Sequence, residues 1–430
     1  MSKFKRGALC ALLATAFAGG AIAAPCSASL KNTQAIAPGT ALTLELALRQ
    51  VREASPAIRR AGLETRAREA DATQAGRALN PSIGLEVENF SGSGPLTGFN
   101  QSETTLSVEQ TFQLGGKRAK RERAARAYAA LGAAECSAVL REAELETALL
   151  FYDLVAASQV ADLAEDAADL AETLLETATK RVEAGAAAPP EQSRARADAA
   201  ALRAAAYKAR GNVEQKRYEL AALWGSAEPL FSLPETGSSD LPETQSDSSL
   251  QDSHPALAVA SAIETASRAE HELARASVMP NLTVSAGVRQ FEETGDNAFL
   301  LGLSVPIPLF DQNRDAARAA GYRAEAESMN RLAVEASLLA SQRAAVAQVR
   351  AARERLVLLE TDALPAARSA YDASVQGYAA GKFDLTTTLD ARKGLIETSL
   401  AVIEASRDLN AETMRLRSLV GAAPFDGDFQ

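Results

Sequence analysis

The chain has 430 residues, 47% of them hydrophobic, enough for two or three ordinary domains. Its 55 acidic residues outnumber 45 basic ones, for a formal charge of −10, which speaks against nucleic acid as a partner. The two histidines, His254 and His271, lie far from any cysteine, and no Ser-His-Asp set, redox motif or close carboxylate pair stands out. Neither an enzyme nor a bound cofactor or metal is expected.

The first residues carry Lys3, Lys5 and Arg6, followed by an apolar run from Ala8 that closes on Ala21-Ile22-Ala23. This reads as a secretory signal peptide over 1–23. No later stretch approaches 18 uninterrupted apolar residues, so no transmembrane helix is expected. The mature chain keeps Cys26 and Cys136 in an oxidising compartment. A Cys26–Cys136 disulfide and two inert thiols both fit, and Pro25 directly before Cys26 disfavours a lipidation site.

The mature chain repeats itself at a period near 200 residues. Ser55-Pro56-Ala57-Ile58 returns as His254-Pro255-Ala256-Leu257, and Leu79-Asn80-Pro81-Ser82 as Met279-Pro280-Asn281-Leu282. Gly185 precedes Arg196 as Gly381 precedes Arg392, and Leu223-Trp224-Gly225 returns as Leu419-Val420-Gly421. The reading is one repeat over 24–225, an acidic Ser/Pro linker over 226–253, a second repeat over 254–421 and a tail over 422–430.

After the second proline of each unit the pattern turns to alternation. Ile83, Leu85 and Val87 are apolar between Gly84, Glu86 and Glu88, and the second unit repeats this with Leu282, Val284, Ala286 and Val288. Strands are expected at about 82–90, 104–113, 281–290 and 299–307, each with one apolar and one polar face. Four strands cannot close a membrane barrel, which needs at least eight. Either they form a soluble sheet, or several chains pool them.

From Lys117 to Glu183 there is no proline, and glycine occurs only at Gly132, so one helix of roughly 100 Å is expected. Its apolar positions, among them Leu145, Leu149, Tyr152, Ala156, Leu170 and Leu174, step by four and three as in a coiled coil. A matching helix is expected over 314–380, bent at Pro365. Each ends in a turn, at 185–190 and 381–384, and returns as a second helix.

These features resemble the TolC-like outer-membrane factors of Gram-negative efflux and type I secretion systems. The resemblance covers the whole mature chain. It rests on the duplicated helix–strand–strand–helix–helix unit and on the tip motifs Gly185…Glu191…Ala195-Arg196 and Gly381…Leu389-Asp390-Ala391-Arg392. Ser304-Val305-Pro306-Ile307-Pro308-Leu309-Phe310-Asp311-Gln312-Asn313 and Leu364-Pro365-Ala366-Ala367 resemble the heavy-metal (Czc-type) branch.

The resemblance implies a homotrimer whose twelve strands form one transmembrane β-barrel in outer-membrane lipid, continued by a twelve-helix coiled-coil barrel in the periplasm. It further implies a periplasmic adaptor protein and an inner-membrane resistance-nodulation-division transporter as partners, with cobalt-, zinc- or cadmium-type divalent cations as cargo. A drug or type I secretion channel and a soluble periplasmic scaffold are the alternatives. Asp390 and Thr387 match the positions that narrow the channel mouth, although Thr387 departs from the acidic residue of the pattern. Glu191, Arg196 and Arg392 match inter-helix contacts at the tips, or are solvated helix-face charges. Gly185, Gly381 and Lys382 match the adaptor-docking tips. Gln113-Leu114-Gly115-Gly116-Lys117 lacks the spacing of a phosphate loop.

Overall fold

The computed structural model describes residues 36–232 and 254–420. The signal peptide, Cys26, most of the linker and the C-terminal tail lie outside the described residues.

The first half runs α1 (Leu44–Ala54), α2 (Pro56–Ala75), β1 (Ser82–Glu88), β2 (Glu103–Phe112), α3 (Lys117–Glu183) and α4 (Pro189–Ala222). The second half runs α5 (Pro255–Ala276), β3 (Leu282–Phe291), β4 (Asn297–Ser304), α6 (Arg314–Leu358), a π turn (Leu359–Ala363), α7 (Leu364–Ala379) and α8 (Leu385–Val420). Local chemistry sets the starts. The Thr43 hydroxyl accepts from the Leu46 N–H at 3.2 Å, and Pro56 and Pro255 open α2 and α5, where a helix needs no donor. His254 caps α5, its Nδ1 accepting from the Ala256 N–H at 3.1 Å, so this histidine has a structural task.

The four strands form one antiparallel sheet in the order β1-β2-β3-β4, leaving β1 and β4 with unpaired edges. Register puts like with like. Leu85, Leu106, Val288 and Phe299 form one row across the sheet, and Ile83, Val108, Ala286 and Leu301 the next. β4 stops at Ser304, short of the 307 expected from the alternation. Pro306 and Pro308 carry no N–H to continue the ladder, and each restricts the residue before it.

Below the sheet α2, α3, α5 and α6 pack side by side, and farther on α4, α3 and α8 do so, with α7 against α8. α3 passes through both layers as one helix of 67 residues, roughly 100 Å long. Its partner over 314–380 is interrupted. Pro365 cannot donate to the Thr361 carbonyl, and the chain meets this by widening a turn: the Leu364 N–H reaches back five residues to the Leu359 carbonyl. The expected bent helix is therefore α6, a π turn and α7.

The largest core lies midway along α3. Leu42, Leu48, Phe151, Leu154, Val213, Leu220, Phe231 and Met414 meet there, and α1 exists to cover it. The Ser232 N–H donates to the Thr40 carbonyl at 2.9 Å, and Arg217 donates to the Phe231 carbonyl at 2.7 Å, fastening this girdle to α4. Elsewhere the helices meet through alanine. Ala167, Ala171, Ala178, Ala195 and Ala199 are buried, whereas Leu170 in the expected seam is exposed. Small side chains let the helix backbones approach, so cohesion comes from many weak contacts rather than bulky knobs.

Candidate functional site at the helical tips and the sheet

Both hairpin tips are built alike. Gly185 and Gly381 take φ of 73° and 72°, a left-handed conformation that costs glycine little. Each turn closes with a bond that skips back five residues, from the Ala186 N–H to the Arg181 carbonyl and from the Lys382 N–H to the Gly377 carbonyl, both at 2.8 Å. α4 begins at Pro189, so the first tip is shorter than the expected 185–190. Gly185, Gly381 and Lys382 are exposed at the far end of the molecule from the sheet.

The two tips are tied together. The Arg181 guanidinium lies 4.5 Å over the Tyr378 ring and donates to the Tyr378 carbonyl. The Tyr378 hydroxyl donates to Glu191 Oε2 at 3.2 Å, and burial first, then Glu191, pushes this phenol above its ordinary pKa. Arg194 Nη1 donates to Thr386 Oγ1 at 2.9 Å. Arg392, only 3% exposed, pairs with Asp198 on α4, while its Nε and Nη1 are buried without a hydrogen-bond partner. A small apolar cluster of Leu174, Ala178, Ala195, Tyr378, Leu385 and Leu389 backs these bonds. Beside it the Phe383 ring lies over Gly377, where a Cβ would stand 2.1 Å from the ring and force it to move.

Thr387 and Asp390 are both exposed on α8. The Thr387 N–H donates to Asp384 Oδ1 at 2.8 Å, so Asp384 caps α8. Hydrogen bonds from the Thr387 side chain and N–H hold that carboxyl below its ordinary pKa. Arg196 is exposed on α4. Glu191 and Arg392 thus meet partners on the other hairpin, whereas Asp390, Thr387 and Arg196 face solvent in the single chain.

At the opposite end the sheet has two chemically distinct faces. Ile83, Leu85, Leu106, Val108, Leu301 and Phe299 are exposed on one, Phe299 to 89%. On the other, Arg289 of β3 reaches Glu88 of β1 at 2.9 Å, Glu103 of β2 at 2.7 Å and Thr105 Oγ1 at 2.9 Å. Neither this cluster nor the Arg181–Tyr378 clasp was read from the sequence. Their partners are nearly two hundred residues apart in the chain, and alternation says only that a residue is polar-side, not what it meets.

Cys136 is fully buried on α3 and disulfide-bonded. Gly115 and Gly116, with φ of 69° and 71°, turn β2 into α3, and Lys117 Nζ donates to Asn281 Oδ1 at 2.5 Å. That glycine pair is a structural turn. Among the described residues no cluster of three or more His, Cys, Asp or Glu could hold a metal ion.

An outer membrane efflux protein family model matches residues 47–226 and 248–422. The chain belongs to the outer membrane efflux protein family. It is 28% identical over 362 residues to the cobalt-zinc-cadmium resistance protein CzcC of Cupriavidus metallidurans, covering 84% of this chain and 85% of that one. It is 31% identical over 332 residues to the nickel-cobalt-cadmium resistance protein NccC of Alcaligenes xylosoxydans, covering 76% of each. The crystal structure of the outer membrane protein VceC from Vibrio cholerae superposes with a TM-score of 0.74 at 20% identity, over 88% of this chain and 96% of that one, a likeness of fold. The resemblance to outer-membrane factors of the heavy-metal branch is therefore borne out. This outer membrane efflux protein is a transport duct and not an enzyme.

Proposed function

We propose that three copies of this chain form the outer-membrane exit duct of a tripartite efflux pump for divalent metal cations of the cobalt, zinc and cadmium type. The observation that carries the duct is the open sheet: one face is apolar and exposed, the other polar, and both edge strands lack partners. In lipid an unpaired edge costs several kcal/mol for each bare N–H or C=O. Joining β4 of one copy to β1 of the next keeps the antiparallel alternation and yields a twelve-stranded wall. The apolar rows then meet lipid and the Arg289 cluster lines the pore. The names of the relatives CzcC and NccC support the cargo.

The domain division follows the repeat, at 24–225 and 254–421, with the segment through Ser232 packed onto the first repeat and the linker beginning after it. At the mouth, the exposed Asp390 carboxylates of three copies form a cation-attracting ring with Thr387 beside them. Glu191 and Arg392 hold the two hairpins together, Arg196 contributes a solvated charge, and the Gly185 and Gly381–Lys382 tips dock a periplasmic adaptor. That adaptor links the duct to a resistance-nodulation-division transporter, the source of energy. For the disulfide of Cys136 we assign Cys26, the other cysteine of the mature chain, as partner.

Deleting the gene and scoring growth on cobalt, zinc and cadmium salts against a drug panel tests the cargo. Sensitivity to metals alone is the expected result, and sensitivity to drugs alone would move the reading to a drug channel. Outer-membrane fractionation tests the duct, because a soluble scaffold would not fractionate there.

A further inference from the structure

The apolar face of the sheet is too short for a membrane. On β2 it runs from Leu106 to Phe112, about 20 Å along the strand and roughly 15 Å along the membrane normal at the usual barrel tilt. The apolar band of an outer-membrane barrel is about 25 Å tall. Val87, Phe90 and Phe99 extend the apolar surface toward the loop end, and a second extension lies at the helix-proximal end. There all four strand–helix links carry large apolar side chains that stay exposed among the described residues. Leu79 precedes β1, Leu114 follows β2, Met279 precedes β3, and Ile307, Leu309 and Phe310 follow β4, with Ile307 77% and Phe310 98% exposed.

The segment after β4 is the most telling. The outward alternation Phe299, Leu301, Leu303 continues through Val305 to Ile307, past the last ladder residue. Pro306 and Pro308 lack N–H groups, so a segment in lipid there leaves two fewer donors unsatisfied. The Leu309 N–H donates to the Ile307 carbonyl at 2.9 Å, satisfying another locally. Just beyond, the starts of α3 and α6 carry Lys117, Arg118 and Arg314, with Arg318 paired to Asp315 at 3.0 Å and Asp311 nearby, a mixed-charge collar with basic side chains at the level where phosphate headgroups would begin.

We infer that these four links form an apolar hem seated in the periplasmic leaflet of the outer membrane, its occupant being phospholipid acyl chain near the headgroups. The inference rests on the barrel reading and extends it below the hydrogen-bonded wall. The hem adds apolar height below the ladder, and Phe310 marks its lower border as an interfacial aromatic.

The test uses the full mature chain in phosphatidylethanolamine–phosphatidylglycerol vesicles with brominated acyl chains. Trp224, the sole tryptophan, is first replaced by Phe, which keeps its aromatic contact with Phe231. Phe310→Trp then reports the hem and Leu301→Trp the middle of the apolar face, with Ile307→Trp as a second hem reporter should Phe310→Trp fail to assemble. The expected result is loss of emission at both levels, the hem dimmed most by bromines near the headgroup and Leu301→Trp by deep ones. If Leu301→Trp is quenched but the hem reporters are not, the hem is overturned and the barrel stands. Iodide quenching would then assign the links to water, and protection from both quenchers would assign them to a joint between subunits. If Leu301→Trp is itself untouched by bromine, the barrel reading fails and the hem with it.

Discussion

Arg392 shows how a charge on a helix can be the costliest residue on it. Its guanidinium is buried against Asp198, and two of its nitrogens have no partner. Removing Asp198 leaves that cation without its counter-ion, so Asp198→Ala should destabilise the paired hairpins by about 2 kcal/mol, discounted because the Asp198 side chain is partly solvated. Faster amide hydrogen exchange in α4 and α8 is the readout; unchanged exchange would reduce the pair to decoration. Asp384 offers a pH test. Its carboxyl is held below the usual 3.8 by Thr387, so the cap is fully present above that value and is lost as pH falls below it. With the intrinsic pH dependence of amide exchange divided out, the protection of the first amides of α8 should be lower at pH 3 than at pH 6, and Asp384→Asn should remove this difference. At the mouth, Asp390→Ala should raise single-channel conductance or weaken block by trivalent cations; no change in either removes its gate role. The tip motif singled out Glu191, which the structure bonds to Tyr378, and Asp390, which it leaves exposed on α8. It could not reveal that Arg392 is buried, because its partner lies 194 residues away on another helix.

Among the elements, those with a strict period were the most legible. Alternation fixes which side of a strand is apolar, and the spacing of apolar residues over Lys117–Glu183 fits the unbroken α3. What local pattern missed was how the chain reconciles conflicts. Pro306 and Pro308 override the alternation and end β4, while Pro365 is met by a widened turn instead of a simple bend. The seam was also read too literally, since the buried positions are chiefly alanines and a regular heptad cannot say which leucines another copy would cover. Pro365→Ala restores the missing donor opposite Thr361 and should return Leu359–Ala363 to ordinary α-helix. The gain should fall below the roughly 3 kcal/mol that a proline costs an isolated helix, because the π turn already absorbs part of the misfit. A higher melting temperature with slower exchange across this stretch is expected; a lower one would mean that the widened turn is itself stabilising.

For the whole molecule, closure governs everything. On the proposed barrel, a chain whose sheet has two bare edges and an oily face needs further copies to close, and the sequence raises the same question through a strand count too small for any pore. Leu301→Arg puts a cation in the middle of the apolar face and should cost about 2–4 kcal/mol per copy at the bilayer midplane. It should abolish heat-modifiable migration, while Glu86→Arg on the polar face should leave migration intact and alter only ion preference. Equal effects from the two substitutions would contradict the assignment of faces. The free margins of β1 and β4 carry a genetic corollary. Each copy would act as a stave in a cask, holding its neighbour on the left and on the right, so one warped stave spoils the vessel. Co-expressing a subunit damaged along β4 with the intact form should therefore poison resistance more steeply than its share of the pool.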